Sequence, residues 1–342
     1  MDTNNRIIQS VFDKLILFRP SLARFAPVAD DDFEEEFDIR VLGDQIIKSF
    51  PWPIGVEVRR LLSASCREID RQRLDQLLKT AERTMQFFGF VLLSQLYDEA
   101  QTQACELSNA YRSQFKKRFF TLSLGNFAWL IRETYKVLLE NKREIFIDEF
   151  EEIAQKDFFK RLDTWVQVRN EISHYQVNMP PEEIEKKCIE CEELLIHLLS
   201  DLAFLTKYRL VSIRQIQVLK LRNADPTYLH VINLLNNSDS DFKGKNIEED
   251  VHTDSNAVIL TKNLKNLRQY LNLSPLVIDT HSETINSRDK FHLRKDIFLY
   301  SKYRNEHLMY VGTETTEKCD LRALSNYDYL LSEFNELCSL LG

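Results

Sequence analysis

The chain has 342 residues, a formal net charge of -8, 44% hydrophobic and 29% charged side chains. That balance supports a buried core and excludes wholesale disorder. The acidic total excludes passive coating of nucleic acid, although a local basic cleft needs only a few well-placed cations.

The start, "MDTNNRIIQSVFDK", carries an acid and amides and no apolar core, so no signal peptide is expected. "ADDDFEEEFD" (29–38) reads as a solvated acidic surface or arm that can also lie against a basic patch. "FPWPIGVEV" (50–58), with two prolines, reads as a packed connector, and residues 1–54 as a segment packed on a helical bundle. From there the pattern turns helical. Apolar residues recur at helical spacing over 69–100, with Asp70 as an early-turn acid, and further helices are predicted at 124–140, 145–155 and 157–173. The arginine-rich face of 59–83 is diluted by Glu57, Glu68, Asp70, Asp75 and Glu82 and reads as a solvated, salt-bridged surface. A last long helix is predicted from Pro181 to about Lys207; proline in the first turn loses no backbone donor, and Glu182, Glu183 and Glu185 face the helix dipole. Residues 55–207 therefore read as an antiparallel helical bundle.

After Lys207 the texture changes. Runs at 208–221, 228–235, 257–262, 273–279, 296–303 and 307–312 are short and rich in branched and aromatic residues, which predicts strands. The stretch 236–256 between them reads as a loop too polar to pack, "DTHSETINSRDK" (279–290) as an exposed hairpin or loop, and 327–341 as a closing helix. The expected fold class is α+β: a helical bundle followed by a small β-rich accessory domain, 208–342, with a C-terminal helix. No apolar run approaches the roughly 20 residues of a membrane helix, so no membrane partner is expected. Six scattered cysteines (Cys66, Cys105, Cys188, Cys191, Cys319, Cys338) are no disulfide framework, and a reducing cytoplasm fits them.

Familiar chemical signatures are missing: no glycine-rich loop leads to Lys-Ser/Thr, no Gly-x-Ser-x-Gly and no His-Glu-x-x-His occur. With only 7 glycines a phosphate site built from backbone amides is not expected, and no cofactor is implied. Cys188 and Cys191 share a helix face with His197 two turns on, but a structural zinc needs a further ligand pair, so both cysteines read as core residues and no metal is expected. His281, His292 and His307 share no ligand spacing.

"WVQVRNEISHYQVNMPPEE" (165–183) is different. A helix ends in Arg169, Asn170, three residues, then His174, just before a double proline. A plain C-terminal cap accounts for an arginine and a histidine there, since both favour the dipole. Cleavage of RNA accounts for them too. The 2'-hydroxyl is RNA's own nucleophile, a histidine titrating near neutrality moves its proton, and an arginine holds the phosphorane oxygens. A second Arg-Asn pair, Arg304-Asn305, has its histidine at His307, two residues too near.

This pattern, at the end of a helix and followed by a turn and a long final helix, resembles the HEPN superfamily, whose ribonuclease members carry Arg, a polar residue, three residues and His. The resemblance covers about 55–207. It implies a metal-independent endoribonuclease with Arg169, Asn170 and His174 at its centre, leaving 2',3'-cyclic phosphate and 5'-hydroxyl ends. It also implies a homodimer that brings two motifs to one cleft, an inhibitor or sensor partner, and a toxin or antiphage abortive-infection role. In the antitoxin-linked branch a tyrosine stands two residues after the histidine; here Gln176 does, with Tyr175 adjacent. The alternative is a noncatalytic HEPN-like dimerisation or adaptor module. For RNA contact, "RSQFKKRFF" interleaves Arg112, Lys116, Lys117 and Arg118 with phenylalanines that either stack bases or fill the core.

Overall fold

The computed structural model describes residues 3–27, 38–174, 179–237, 240–281 and 295–342. The chain is α+β, with two antiparallel sheets and a C-terminal helix. It divides into two units that each draw on several stretches: unit 1 is 1–84, 149–208 and 236–239, and unit 2 is 85–148, 209–235 and 240–342. Residues 55–207 are thus distributed over both. The acidic run 29–38 (Asp38 apart), Tyr175, Gln176 and His292 lie outside the described residues, as does most of 279–290.

Unit 1 is helical. It holds α1 (Thr3–Phe18), α2 (Arg40–Ser49), α3 (Trp52–Leu61), the first half of α4 (Arg71–Gln101), α7 (Phe150–Ala154), α8 (Phe158–His174) and α9 (Pro181–Asp201). The stretch read as a connector is instead the helix α3. Pro51 is its N-cap and Pro53 sits in its first turn, where the missing N–H costs nothing. Gly55 lets α3 approach α2, since a Cβ there would stand 2.6 Å from the Ile47 carbonyl oxygen.

Two charged residues assigned to a solvated face are buried. Glu57, 1% exposed, accepts from Arg60 at 2.9 Å and from the Gln76 amide at 2.9 Å. Arg73, fully buried, meets Glu192 of α9 at 2.8 Å, and its other terminal nitrogen donates to Asn4 of α1 at 2.9 Å and to the Cys66 carbonyl at 2.6 Å. One guanidinium thereby fastens three helices and the turn before α4, while Asp70 accepts from the Arg73 N–H and caps α4.

Unit 2 contains the rest of α4, α5 (Asn109–Phe119), α6 (Leu124–Glu140), α10 (Tyr327–Leu341) and the sheets. The first sheet has β1 (Arg209–Leu219), β2 (Thr227–Leu234), β3 (Gly244–Glu249), β4 (Val258–Thr261) and β5 (Tyr270–Asn272), in the order β3-β2-β1-β4-β5. The second has β6 (Val277–Asp279), β7 (Ile297–Arg304), β8 (His307–Gly312) and β9 (Lys318–Asp320), in sequence order.

β3 corrects the reading of 236–256 as unpacked. It is an edge strand whose backbone pairs with β2, Ile247 opposite His230, and only Ile247 points into the core of Val211, Ile213, Ile232 and Ile259. An edge strand that polar offers little to a foreign strand. The helix predicted at 145–155 is confined to α7, because the Gln95 side chain takes the backbone of the preceding loop, donating to the Glu144 carbonyl at 2.7 Å and accepting from the Phe146 N–H at 2.9 Å.

The arrangement around Arg73 makes a stability prediction. Arg73→Met strands the Glu192 carboxylate in the core and should cost about 3–5 kcal/mol. The double variant Arg73→Met/Glu192→Met should recover much of that loss. Chemical denaturation of the parent, both single variants and the double checks it; additive losses would show that the two groups do not act as a pair.

Candidate functional site

α8 has two faces. Phe158, Leu162, Trp165, Val168 and Ile172 recur at three and four and are all buried. On the remaining surface of its last turns stand Arg169, Asn170, Ser173 and His174, all exposed. Packing is thus carried by one stripe and the polar set is left to solvent.

The neighbouring helix fixes where this end lies. Arg161, early in α8, meets Asp201 at the end of α9 at 2.6 Å; Glu171, late in α8, meets Lys187 near the start of α9 at 2.6 Å. The two pairings make α8 and α9 an antiparallel hairpin. Lys187 also meets Glu190 at 2.7 Å. Burial works to lower the Lys187 ammonium, but its hydrogen bonds to Glu171 and Glu190 outweigh that and raise the group above its ordinary value. The same contact, with help from Gln167, holds the Glu171 carboxyl below the usual glutamate range.

Helical geometry persists to His174, and the Ser173 hydroxyl donates back to the Arg169 carbonyl at 2.7 Å. The helix does not fray at Ser173, the condition under which one copy could aim both groups. Five residues of regular helix set Arg169 and His174 about 140° apart, whereas Asn170 and His174, four apart, share a face. The Arg169 guanidinium reaches the Asn170 side-chain amide oxygen, Oδ1, at 3.5 Å, a marginal contact. The His174 side chain is exposed.

The basic set lies in the other unit. On α5, Arg112 donates to the Leu340 carbonyl at 2.6 Å, and Arg118 lies over Trp129 at 5.4 Å and reaches Asn126 at 3.4 Å. Lys116 and Lys117 face solvent. Phe115 and Phe119 are buried, and Phe119 stacks on Phe334 of α10, so these rings fill the core and cannot receive bases.

Cys188 and Cys191 are buried in α9; burial pushes their thiols up to about 11 and about 12, so both are inert at neutral pH. Among the described residues no group of three or more His, Cys, Asp or Glu is placed to hold a metal ion, and no helix is long and apolar enough to cross a membrane.

Two histidines have environments that the sequence analysis did not single out. His230, fully buried on β2, lies between the Tyr228 carbonyl, 3.1 Å from Nδ1, and the Thr253 N–H, which donates to Nε2 at 3.3 Å. His281 directs Nδ1 to the buried Asp279 carboxylate at 2.8 Å. No family model, no curated protein and no solved structure matches the chain.

The Glu171–Lys187 contact has a pH signature. Its stabilisation is fully present above the ordinary glutamate value of 4.5 and is lost as pH falls through the lowered value in the folded chain. Over a window of roughly pH 5 to 3, the melting temperature of the parent should fall more steeply than that of Glu171→Gln. Parallel curves would place the contact outside the stability of the hairpin.

Proposed function

We propose that the chain is an endoribonuclease of the HEPN type, with Arg169, Asn170 and His174 as its working groups. The observation that carries this reading is the exposed polar set at the end of α8, on a helix whose packing is wholly borne by another stripe. Exposed Arg and His are not needed there to hold the fold, so their chemistry is free for a ligand.

In this reaction an imidazole takes the 2'-hydroxyl proton as that oxygen attacks the adjacent phosphorus. The 5'-oxygen leaves with a proton supplied by a second imidazole or by water, and a 2',3'-cyclic phosphate and a 5'-hydroxyl end result. Arg169 supplies two N–H groups to the phosphorane oxygens, where negative charge builds up. Asn170, on the His174 face, orients that ring or the ribose. Since one copy turns Arg169 and His174 away from each other, the arginine of one copy and the histidine of a second would serve each phosphate, so we infer a two-fold homodimer. A nuclease of this kind must be restrained, which makes an inhibitor or sensor protein and a toxin or antiphage role part of the proposal.

The divergence of the two side chains on one helix also favours a second reading, a noncatalytic HEPN-like module that dimerises or docks a partner through the same end of α8. One experiment separates them. His174→Ala and Arg169→Ala should fold and associate like the parent, since a lost helix-end interaction costs only about 0.3–1 kcal/mol. Cleavage of total RNA and tRNA in the presence of a chelator should fall roughly 10²- to 10⁴-fold in His174→Ala. Equal cleavage by parent and variant, or none by the parent once any co-purified inhibitor is stripped, favours the module. Light scattering at micromolar concentration should give a dimer; a strict monomer that still cuts RNA would sink the shared cleft and leave the nuclease.

A further inference from the structure

Unit 2 carries a second chemical feature, a cleft of about 600 Å³ between the C-terminal part of α4, the loop after α6, and the β4–β5 corner. That volume lies within the usual range for small-molecule sites. Four cations line it, Lys142, Arg143, Lys262 and Arg268, against three carboxyl groups, Asp98, Glu99 and Glu144.

The walls are held in place. Gln95 grips the loop at two backbone points, Glu144 and Phe146, and the Arg143 N–H closes the turn on the Leu138 carbonyl at 2.9 Å. Lys142 sits at φ 54°, at the tip of that turn, exposed and without an ion-pair partner among the described residues. Arg143 pairs with Glu99 at 2.7 Å but keeps a buried Nε–H with no acceptor. Lys262 lies over the Phe146 ring at 5.3 Å and pairs with Asp148, and Arg268 pairs with Asp250. Asp148 and Asp250 are both more than 60% exposed, so those two pairs are weak and a multiply charged anion can displace them. Phe146 and Tyr270 add aromatic surface.

We propose that this cleft binds a phosphate monoester of the nucleotide class, its phosphate held by Lys142 and Arg143 and its ring laid against the aromatic wall. The pointers are Lys142, exposed and without an ion-pair partner among the described residues, and the weak pairs of Lys262 and Arg268, which leave three cations open to an anion in one cleft. The absence of a glycine-rich loop is no obstacle, because the donors here are side chains. The site is independent of the nuclease reading and lies in the other unit.

Asp98 makes the binding proton-linked. Burial, then the charges of Asp254 and Glu99, push its carboxyl up to about 7. Tyr97 and Glu99 of α4, Glu144 of the loop after α6, Asp254, Tyr270 of β5, Glu333 and Glu336 of α10 and the four cations are the charged and titratable groups around it. A bound dianion raises Asp98 further, so the ligand enters with uptake of a proton. It therefore binds more tightly at pH 6 than at pH 8, about one unit either side of that midpoint.

The test is calorimetric titration of the full chain with AMP and GMP, with adenosine and inorganic phosphate as separate arms. Both nucleotides should bind, and adenosine and phosphate should each bind about tenfold more weakly or worse. Lys142→Gln, an exposed change that should leave the melting temperature alone, should weaken AMP by about tenfold and leave RNA cleavage unchanged. Asp98→Asn should flatten the pH dependence. No binding of either nucleotide at millimolar concentration would overturn the proposal, as would unchanged affinity in Lys142→Gln. Inorganic phosphate binding as tightly as AMP would overturn the nucleotide class.

Discussion

An arginine with no access to water is the constraint on which unit 1 rests. Arg73 cannot shed its proton, so the fold must surround it with acceptors or fail. Glu192, Asn4 and the Cys66 carbonyl are drawn from α9, α1 and the turn before α4, and each is separated from Arg73 by a different length of chain. A buried ion pair adds little net stability over an apolar replacement, yet it penalises every packing of these helices that leaves the charge unpaired. It sets the position of α9 from below. α9 in turn sets α8 through Lys187 and Asp201, and so decides where Arg169 and His174 emerge.

Unit 2 solves a similar problem with a carboxylate. Asp296, 1% exposed, accepts from the Ile297, Glu314 and Thr315 N–H groups and from the Thr313 and Thr315 hydroxyls. These bonds replace the water the charge has lost and tie the turn after β8 to the start of β7. Gly312 is required by that closeness, because a Cβ would stand 2.4 Å from the Asp296 carboxylate oxygen. The aromatic rings of Phe119, Tyr300 and Phe334 bring α5, β7 and α10 together, with the Tyr300 hydroxyl donating to the Phe119 carbonyl at 3.1 Å.

Legibility in the sequence follows locality. α6 and α10 are readable to the residue, because an N-cap serine at Ser123 and leucines at three and four are written in adjacent positions. α1 carries the same signal, Ile7, Ile8, Val11, Phe12 and Leu15, but in a stretch whose mixed polarity masks it. β3 is not readable at all. Its residues are Gly-Lys-Asn-Ile-Glu-Glu, and only its pairing with β2 makes them a strand. Glu57 and Arg73 mislead for the same reason, since a charge looks solvated until its distant partners are known. The motif at the end of α8 is legible as residues and as a helix end. The Lys187 clamp that holds it, sixteen residues from Glu171, is not, and neither is the Gln95 grip on the loop of the cationic cleft.

The geometry of α8 limits what a single chain can do. Had the helix unwound at Ser173, His174 could swing toward Arg169 and one copy would hold a complete acid–base and clamp pair. The Ser173 hydroxyl bonded to the Arg169 carbonyl works against that, because it satisfies an acceptor that unwinding would expose. With the helix intact, Asn170 and His174 form one face and Arg169 another. In the homodimer proposed above, two such helix ends related by a two-fold axis would set the His174 face of one copy toward the Arg169 face of the other, so that each phosphate would meet an imidazole and a guanidinium from different copies. On the proposed reading a single copy would lack a complete site, association would itself be a means of restraint, and a partner covering this end of α8 would block both halves at once.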